Sequence, residues 1–372
     1  MDSSDSDSGL LSWDRVLDGA DERADNAMRR RDLLALAGAS TLAGSLASAA
    51  NTASSFLTEL LIPFPLAPSS PTERAVPPDQ LLRLSVRVRN QYQACRYDAA
   101  AGTLAELVPA LQAAVTVSSG DFKSRLQSAI SDAYHVIAGI LLKVGNEGPA
   151  AVAADRSMNA ARDSEIPVTI GASARIVSHA LMGSGGARQA STYVKRFAEG
   201  FQAHLDPDDE SSLSVYGSLL LRGAVAAARG SDRDTTLELV GEAERTATML
   251  GHDGNHAWTA FGPTNVQLHR INLAVTLGDA GSAIAIAREV DDASIELVER
   301  RATFYLDVAA GFTQWGKHEP AYLAIRHAEA IAPEELTNRS SVHGLVHQLA
   351  TASPPSLQPR VRELAARIGA AE

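Results

Sequence analysis

The residues best suited to bind a ligand lie along one predicted helix, at about 264–277. At 100° per residue, Leu268, Ile271 and Val275 form an apolar stripe that would face the core. A separate polar stripe carries no charge, whereas a solvated helix face usually carries Lys and Glu. That stripe consists of Asn265, His269, Asn272 and Thr276. We expect it to line a groove and to hydrogen-bond a ligand or peptide, with hydrogen bonding between helices as the alternative.

The next predicted pair of helices extends this wall. When the turn glycines of the two repeats are aligned, Thr303 and Asp307 fall opposite Asn265 and His269. Further along, a histidine pair four residues apart would present polar groups to a groove or to the surface. The candidate groove residues are therefore Asn265, His269, Asn272, Arg301, Thr303, Tyr305, Asp307 and His347.

Two histidine pairs raise the question of a metal site. His252 and His256 are four residues apart, but neighbouring glycines make that segment a loop. His343 and His347 share a predicted helix, yet no carboxylate sits at a matching position to supply a third ligand. The single cysteine, Cys95, excludes an intramolecular disulfide and a thiolate-built metal site. We therefore expect no metal ion and no cofactor.

No catalytic motif is found in the sequence. The phosphate loop GxxxxGK[ST], a GxGxxG after a strand and the GxSxG nucleophile elbow are all missing. The Gly-rich stretch 183–186 joins two predicted helices and is interpreted as a turn. Because no nucleophile and base can be paired from these pieces, we do not expect an enzyme.

Composition favours a soluble and acidic all-α protein. The chain has 372 residues, a formal net charge of −11, 45% hydrophobic residues and only 5% aromatic residues. That hydrophobic share is sufficient for a buried core. Negative charge repels the phosphate backbone, so direct DNA binding by this chain is not expected. No membrane span is expected either.

A recurring junction divides most of the chain into pairs of helices. Gly183, Gly230, Gly278 and Gly316 lie 47, 48 and 38 residues apart. Each is expected to close a helix in the left-handed C-cap conformation, and an Ala-rich second helix follows it. This period, with two helices per unit, predicts an all-α, right-handed solenoid of about seven tetratricopeptide-like hairpins.

The predicted helices alternate between a first and a second member of each pair. First helices are expected at about 80–96, 122–144, 168–182, 211–229, 264–277, 297–315 and 341–351. Second helices are expected at about 98–115, 150–162, 187–204, 233–250, 280–289, 319–331 and 357–368. Alanine suits such pairs because it has the highest helix propensity and lets helices approach closely.

The N-terminal part differs in composition from the repeats. Residues 1–28 are acidic and are expected to be disordered apart from a short helix. Residues 29–78 combine an Ala-rich segment with a Pro-rich linker, and residues 79–372 form the repeat domain. The arginines at 29–31 and the soft apolar run 33–50 look like a twin-arginine export signal, with a plain linker as the alternative.

Three stretches of the repeat region are more specific than the rest: 261–270 (FGPTNVQLHR), 299–309 (ERRATFYLDVA) and 328–335 (AEAIAPEE). Together they resemble the C-terminal tetratricopeptide-like domain of actinobacterial helix-turn-helix transcriptional regulators of the XRE type. The resemblance is strong over about 261–350 and looser over 79–260. In that family the linker often carries an Arg-Arg-x-Leu-Leu stretch, as residues 30–34 do here.

The resemblance implies a regulatory module in the cytoplasm that binds a small signal molecule, a peptide or a protein partner in a concave groove. The 28 residues before Arg29 are too few for the family's helix-turn-helix, so the DNA reader is expected upstream or on a partner. The alternative is a helical-repeat binding protein exported by the twin-arginine route. The ligand, the target genes and the oligomeric state do not follow from the sequence.

Overall fold

The structure, a computed structural model, describes residues 16–17, 54–62 and 77–370. Within these ranges every regular element is a helix, and no β-strand is present. The all-α prediction is therefore confirmed. The export-signal-like segment 29–50 and nearly all of the region 1–28 lie outside the described residues.

Fifteen α-helices follow one another between residues 78 and 367. They are α1 (Pro78–Gln93), α2 (Tyr97–Thr116), α3 (Gly120–Lys143), α4 (Glu147–Ser164), α5 (Pro167–Gly183), α6 (Ala187–Phe201), α7 (Glu210–Arg229), α8 (Arg233–Leu250), α9 (Pro263–Thr276), α10 (Ala280–Ala287), α11 (Val298–Gln314), α12 (His318–Ile331), α13 (Pro333–Asn338), α14 (Ser340–Ala352) and α15 (Gln358–Arg367). Three short 3-10 turns lie in the connections, at Gln202–His204, His256–Trp258 and Asp292–Ser294.

The helices expected from the sequence are all present, with ends that differ by three residues at most. The addition is α13, a helix of six residues that no sequence pattern indicated. It begins at Pro333, whose missing N–H is not needed at a helix start. One proline thus both follows the end of α12 and opens a new helix, which periodicity over so few residues cannot detect.

Helices pack in chain order and also with partners two places away. Consecutive helices contact each other throughout, and contacts also join α1 to α3, α3 to α5, α5 to α7, α7 to α9, α9 to α11 and α11 to α14. We call these seven helices the first-helix row, since each is the first member of a predicted pair. This pattern is a helical repeat-like architecture. The row also returns on itself, because α1 contacts α11.

The turn between the two helices of a pair has the same geometry in six places. One residue has a positive φ of 55–88°, and the next residue donates its N–H to the carbonyl five positions earlier at 2.8–2.9 Å. This arrangement is the Schellman C-cap. The positive-φ residues are Cys95, Gly145, Gly185, Ser231, Gly278 and Gly316. Gly183 is the last residue of α5 and Gly230 directly follows α7, but the left-handed residues are Gly185 and Ser231. The assignment of the left-handed conformation to Gly183 and Gly230 is therefore wrong.

Buried alanines fill the contacts between neighbouring helices. In α4, for example, Ala150, Ala153 and Ala161 have no exposed surface. Their short side chains let the backbones of adjacent helices approach without leaving a cavity. The Ala-rich composition therefore serves close packing of the first-helix row against the second helices.

By length and composition α2 could cross a membrane. Its leucines at 104, 107 and 111 have no exposed surface and belong to the protein core. The core helix of a soluble protein passes the same test of length and hydropathy.

Two short described segments outside these helices attach to the body. Residues 54–59 are helical, and Leu57 is buried in the core that the first pairs share. Arg156 of α4 donates hydrogen bonds to two carbonyl oxygens just beyond this segment, at 3.3 and 2.7 Å. Residues 16–17 pack in the core near the other end of the row, where Arg288 donates to the Leu17 carbonyl at 3.0 Å.

Candidate functional site

The polar stripe of α9 faces two different environments. Asn265 is buried, and its Oδ1 atom has no hydrogen-bond partner among the described residues. Its backbone carbonyl accepts a hydrogen bond from Nδ1 of His269 at 2.9 Å. Asn272 donates through Nδ2 to Oδ1 of Asp307 at 2.9 Å. Asn272 thus joins two helices of the first-helix row, whereas Asn265 presents an acceptor that nothing satisfies.

Two predicted residues of α11 lie on the side that faces this row. Asp307 accepts the hydrogen bond from Asn272 of α9. Thr303 accepts one from Nη1 of Arg339, which precedes α14, at 3.3 Å. Asp307 therefore contacts α9 through Asn272, and Thr303 contacts the N-cap residue of α14.

The remaining predicted residues lie elsewhere. Tyr305 is buried against α12, where its ring stacks on His327 at 5.3 Å and its hydroxyl donates to Asp292 at 2.5 Å. Arg301 lies close enough to Tyr305 to act on its phenol electrostatically. His347 is exposed on α14. These three side chains do not join the wall formed by α9 and α11.

The first-helix row brings together basic residues that sequence reasoning did not single out. We define the basic cluster as His135 on α3, Arg175 and His179 on α5, Arg222 on α7, His269 on α9 and Arg300 on α11. These helices pack against one another in the row, and Nη2 of Arg175 lies 3.3 Å from Nε2 of His135. Besides burial, the arginines of the cluster lower the pKa of its histidines. Five first helices therefore converge on one positively charged region.

Two arginines of the basic cluster, Arg175 and Arg222, differ from the other buried arginines in their surroundings. Among the described residues, no carboxylate lies within 4.0 Å of Arg175 or Arg222, and both Nε atoms are buried without a hydrogen-bond partner. Burial, together with repulsion from neighbouring arginines, lowers the pKa of Arg175 to about 9 and that of Arg222 to about 10. Both side chains still keep part of their surface open to water. Arg175 and Arg222 therefore carry positive charge without a direct carboxylate partner among the described residues, although Glu299 acts on Arg222 from a distance.

The histidines of the cluster are neutral at physiological pH. Burial and the nearby arginines lower the pKa of His135 and of His179 well below the usual value, and lower the pKa of His269 to about 3. Neutral His135 can accept through Nε2 from Nη2 of Arg175, at 3.3 Å. His269 uses Nδ1–H toward the Asn265 carbonyl, so its Nε2 remains an acceptor.

Asp307 of α11 is the acidic residue among the predicted groove residues. Burial raises the pKa of Asp307 to about 6, although Arg339 and the hydrogen bond from Asn272 favour its charged form. The carboxylate is thus ionised at neutral pH and becomes protonated in mild acid.

A second group of charged residues is fully paired. Glu335 of α13 has no exposed surface, and its carboxylate accepts from Nζ of Lys143 at 2.7 and 3.0 Å and from Nη1 of Arg339 at 2.8 Å. The Tyr97 hydroxyl donates to the same carboxylate. Lys143 also pairs with Glu299 of α11 at 3.2 Å. These residues, Lys143, Glu299, Glu335 and Arg339, are called the closing network below.

The closing network ties the beginning of the row to its end. Lys143 ends α3, while Glu299, Glu335 and Arg339 lie on or beside α11 to α14. Against the cost of burial, the surrounding cations hold the pKa of Glu299 and of Glu335 below the usual value. The nearby Cys95 thiol stays neutral, because burial and the Glu335 charge raise its pKa to about 12. Cys95 is therefore a packed residue and not a reactive thiolate.

Two surface clefts lie apart from the basic cluster. One runs along α6 and is lined by Tyr193, Arg196 and Phe197. The other lies between residues 60–62 and the outer faces of α2 and α4, beside Arg156. Neither contains a residue of the cluster, so the unpaired charge distinguishes the cluster as the stronger binding candidate.

A sequence signal for the cluster exists in retrospect. Arg175 is the one charged residue of α5, and Arg222 follows three leucines in α7. A lone basic residue in an apolar helix usually extends its charged group to water. Its presence in the sequence therefore does not predict a binding site. Only the packing of α5 against α7 shows that these two arginines lie on neighbouring helices of the row.

No protein-family model matches this chain, and no curated protein matches it.

Proposed function

We propose that this protein is a regulatory ligand-binding module: a right-handed solenoid of about seven tetratricopeptide-like hairpins that binds a small anionic ligand at the basic cluster. The observation that carries the proposal is the pair Arg175 and Arg222. Both have a buried Nε without a partner, in a chain whose net charge is −11. A phosphate or carboxylate group matches the planar donor fork of arginine and would satisfy both atoms.

Charge pairing elsewhere in the row shows how unusual these two arginines are. Arg89 pairs with Asp132, and both Lys143 and Arg339 pair with Glu335. A buried charge without a counter-ion costs several kcal/mol, to an order of magnitude. The two arginines differ from these three cations because no carboxylate of the described residues lies within 4.0 Å of them, which suits them to an external anion.

The uncharged groups beside the arginines narrow the ligand class. Nε2 of His269 and Oδ1 of Asn265 are acceptors, and the latter is buried without a donor. A ligand that combines an anionic group with hydroxyl or amino donors would satisfy both kinds of group. We therefore favour a small phosphorylated or carboxylated metabolite over a peptide or a protein partner.

Ligand binding at the basic cluster would affect the closing network through two adjacent residues of α11, Arg300 and Glu299. Arg300 belongs to the basic cluster and pairs through Nε with Glu299 at 3.3 Å, and Glu299 in turn pairs with Lys143. An anion that attracts Arg300 would weaken its pair with Glu299 and alter the contact between the two ends of the row. With the resemblance to XRE-type regulators, we propose transcriptional control in the cytoplasm, exerted through a DNA-binding partner or segment.

Thermal unfolding at constant ionic strength tests the binding claim. The purified chain is compared in KCl and in buffers where phosphate, sulfate or citrate replaces part of the chloride. We expect at least one multivalent anion to raise the Tm of the wild type but not that of Arg222→Met. The control Arg245→Met removes an exposed arginine of α8 and should keep the shift. Equal shifts in wild type and Arg222→Met would reject the basic cluster as the site.

A further inference from the structure

A second group of ligating side chains meets far from the basic cluster. His252 and His256 lie in the loop between α8 and α9, and Glu210 is the first residue of α7. One ligand atom from each of these three residues lies within 4.8 Å of the others. Two imidazoles and one carboxylate are a donor set that zinc accepts in proteins.

The distance of each histidine from the Glu210 carboxylate is close to the distance between two ligands of one zinc ion. Nε2 of His252 lies 3.4 Å from one carboxylate oxygen of Glu210, and Nε2 of His256 lies 3.4 Å from the other. Zn–N and Zn–O bonds of about 2.0–2.2 Å place the ligands of a tetrahedral ion about 3.3–3.6 Å apart. The two imidazole rings stand nearly perpendicular, at 81°, so both ring edges can point to one centre.

The loop is built so that both imidazoles point toward Glu210. A Cβ on Gly254 would lie 2.7 Å from Nε2 of His256 and 3.8 Å from Nε2 of His252, so only glycine leaves this space open. Asp253, between the histidines, turns away from them and accepts from the Thr264 N–H at the start of α9, at 2.9 Å. The space beside the two Nε2 atoms is thus kept free of side-chain atoms from Gly254 and Asp253.

Contacts on the far side hold the same loop in place. Asn255 exchanges two hydrogen bonds with Gln93 of α1, at 2.8 and 3.0 Å. Phe261 is fully buried, and its carbonyl accepts from the Gly254 N–H at 3.2 Å. Because neighbouring backbone positions are anchored, little ordering of the loop would be needed when an ion binds.

We propose that Glu210, His252 and His256 form a Zn²⁺ site, with the remaining coordination position open to water. All three side chains are partly or fully exposed, so an ion can enter from solvent. The bound ion would fasten the loop at 252–262 to the start of α7. The site is independent of the anion site, since no residue is shared between them.

Competition for Zn²⁺ with a chromophoric chelator tests the proposal at pH 7.5, on the full chain after removal of any purification tag. We expect the wild type to bind one equivalent of Zn²⁺. Glu210→Gln and His256→Ala should each weaken binding by at least about 10-fold. Gly254→Ala should weaken it as well, without removing a ligand, because its Cβ occupies the space beside Nε2 of His256.

The matched control is His204→Ala, which removes an exposed histidine from the neighbouring 3-10 turn Gln202–His204. Its zinc affinity should equal that of the wild type, and circular dichroism should show the same helix content in every variant. Three results would overturn the site: no competition by the wild type, unchanged affinity in His256→Ala, or an equal loss in His204→Ala. The first would leave Glu210 as a polar neighbour of the two histidines and not as a metal ligand.

Discussion

Two buried charged regions of the first-helix row differ in the pairing of their charges. In the closing network every charge has a partner at 2.7–3.2 Å, from Lys143 to Glu335 and Glu299 and from Arg339 to Glu335. In the basic cluster, Arg175 and Arg222 have none among the described residues. Both regions include residues of α3 and α11. They differ in burial as well, because Glu335 has no exposed surface whereas Arg175 and Arg222 keep part of theirs.

The comparison distinguishes charged residues that stabilise the fold from charged residues that are available to bind a ligand. A paired buried charge holds its neighbours in one geometry, and removal of a partner leaves the other charge uncompensated. An unpaired buried charge lowers the free energy of unfolding of the free protein. Binding of a counter-ion raises it again. The two regions should therefore respond to substitution with opposite signs.

The largest effect is expected in the closing network. Glu335→Gln removes the carboxylate shared by Lys143 and Arg339 and should lower the free energy of unfolding by about 3–5 kcal/mol. Urea unfolding followed by circular dichroism measures it. Glu238→Gln, which breaks an exposed pair with Lys195, should cost less than about 1 kcal/mol. Similar losses in both variants would mean that the closing network is no more than a surface ion pair.

A smaller effect of opposite sign is expected in the basic cluster. Arg222→Met keeps most of the side-chain volume and removes an uncompensated charge. It should raise the free energy of unfolding of the ligand-free protein by about 1–3 kcal/mol. Urea midpoints in chloride buffer without multivalent anions test this. A loss of stability as large as that of Glu335→Gln would show that Arg222 has a structural partner.

The pH dependence sharpens the contrast further. The pKa of His269 is lowered to about 3, from an ordinary value near 6.5. The unfolded chain therefore binds more protons, and this contribution is complete above pH 6.5 and declines as pH falls below it. Each such histidine costs up to about 1.4 kcal/mol per pH unit. Asp307 acts in the opposite direction, because its raised pKa of about 6 makes the folded state gain protons first.

Urea midpoints between pH 7.5 and 4.5 measure this dependence. His269→Gln should show a shallower decline in stability below pH 6.5 than the wild type. Asp307→Asn should show a steeper one, since it removes the opposing contribution. Identical profiles for all three proteins would show that neither side chain is buried as described. His204→Gln, an exposed position, serves as the control and should leave the profile unchanged.

The smallest effect concerns the loop between α8 and α9. Asn255→Ala removes both hydrogen bonds to Gln93, which are exposed. We expect a loss of less than about 1 kcal/mol, because water replaces such bonds easily. Amide hydrogen exchange at residues 254–260 should accelerate while exchange in α11 stays unchanged. Faster exchange in α11 too would indicate that the loop, and not the closing network, holds the ends of the row together.

Local features of the fold were predictable from the sequence. Helix ends followed from periodicity and turn residues, and Gly278 and Gly316 do adopt the left-handed conformation. Ser231 and Cys95 do so too, although neither residue type favours it. Their place in the repeat imposes the conformation, and a single sequence does not show how strongly it does so.

The candidate sites were predictable only in part. The uncharged stripe of α9 predicted a groove wall. In the structure Asn272 donates to Asp307, while Oδ1 of Asn265 has no partner among the described residues. Arg175 and Arg222 lie 47 residues apart in sequence, and Glu210 lies 42 residues before His252. Such pairs become neighbours only through packing between helices. No local pattern of hydrophobicity or spacing encodes that contact.

The most direct test of the central claim is to locate an anion crystallographically. Crystals of the wild type soaked in selenate, with data collected at the selenium edge, should show an anomalous peak within hydrogen-bond distance of Arg175 and Arg222. The same soak of Arg222→Met crystals should lack that peak. A wild-type map with selenate only at exposed surface arginines, and none at the basic cluster, would contradict the account.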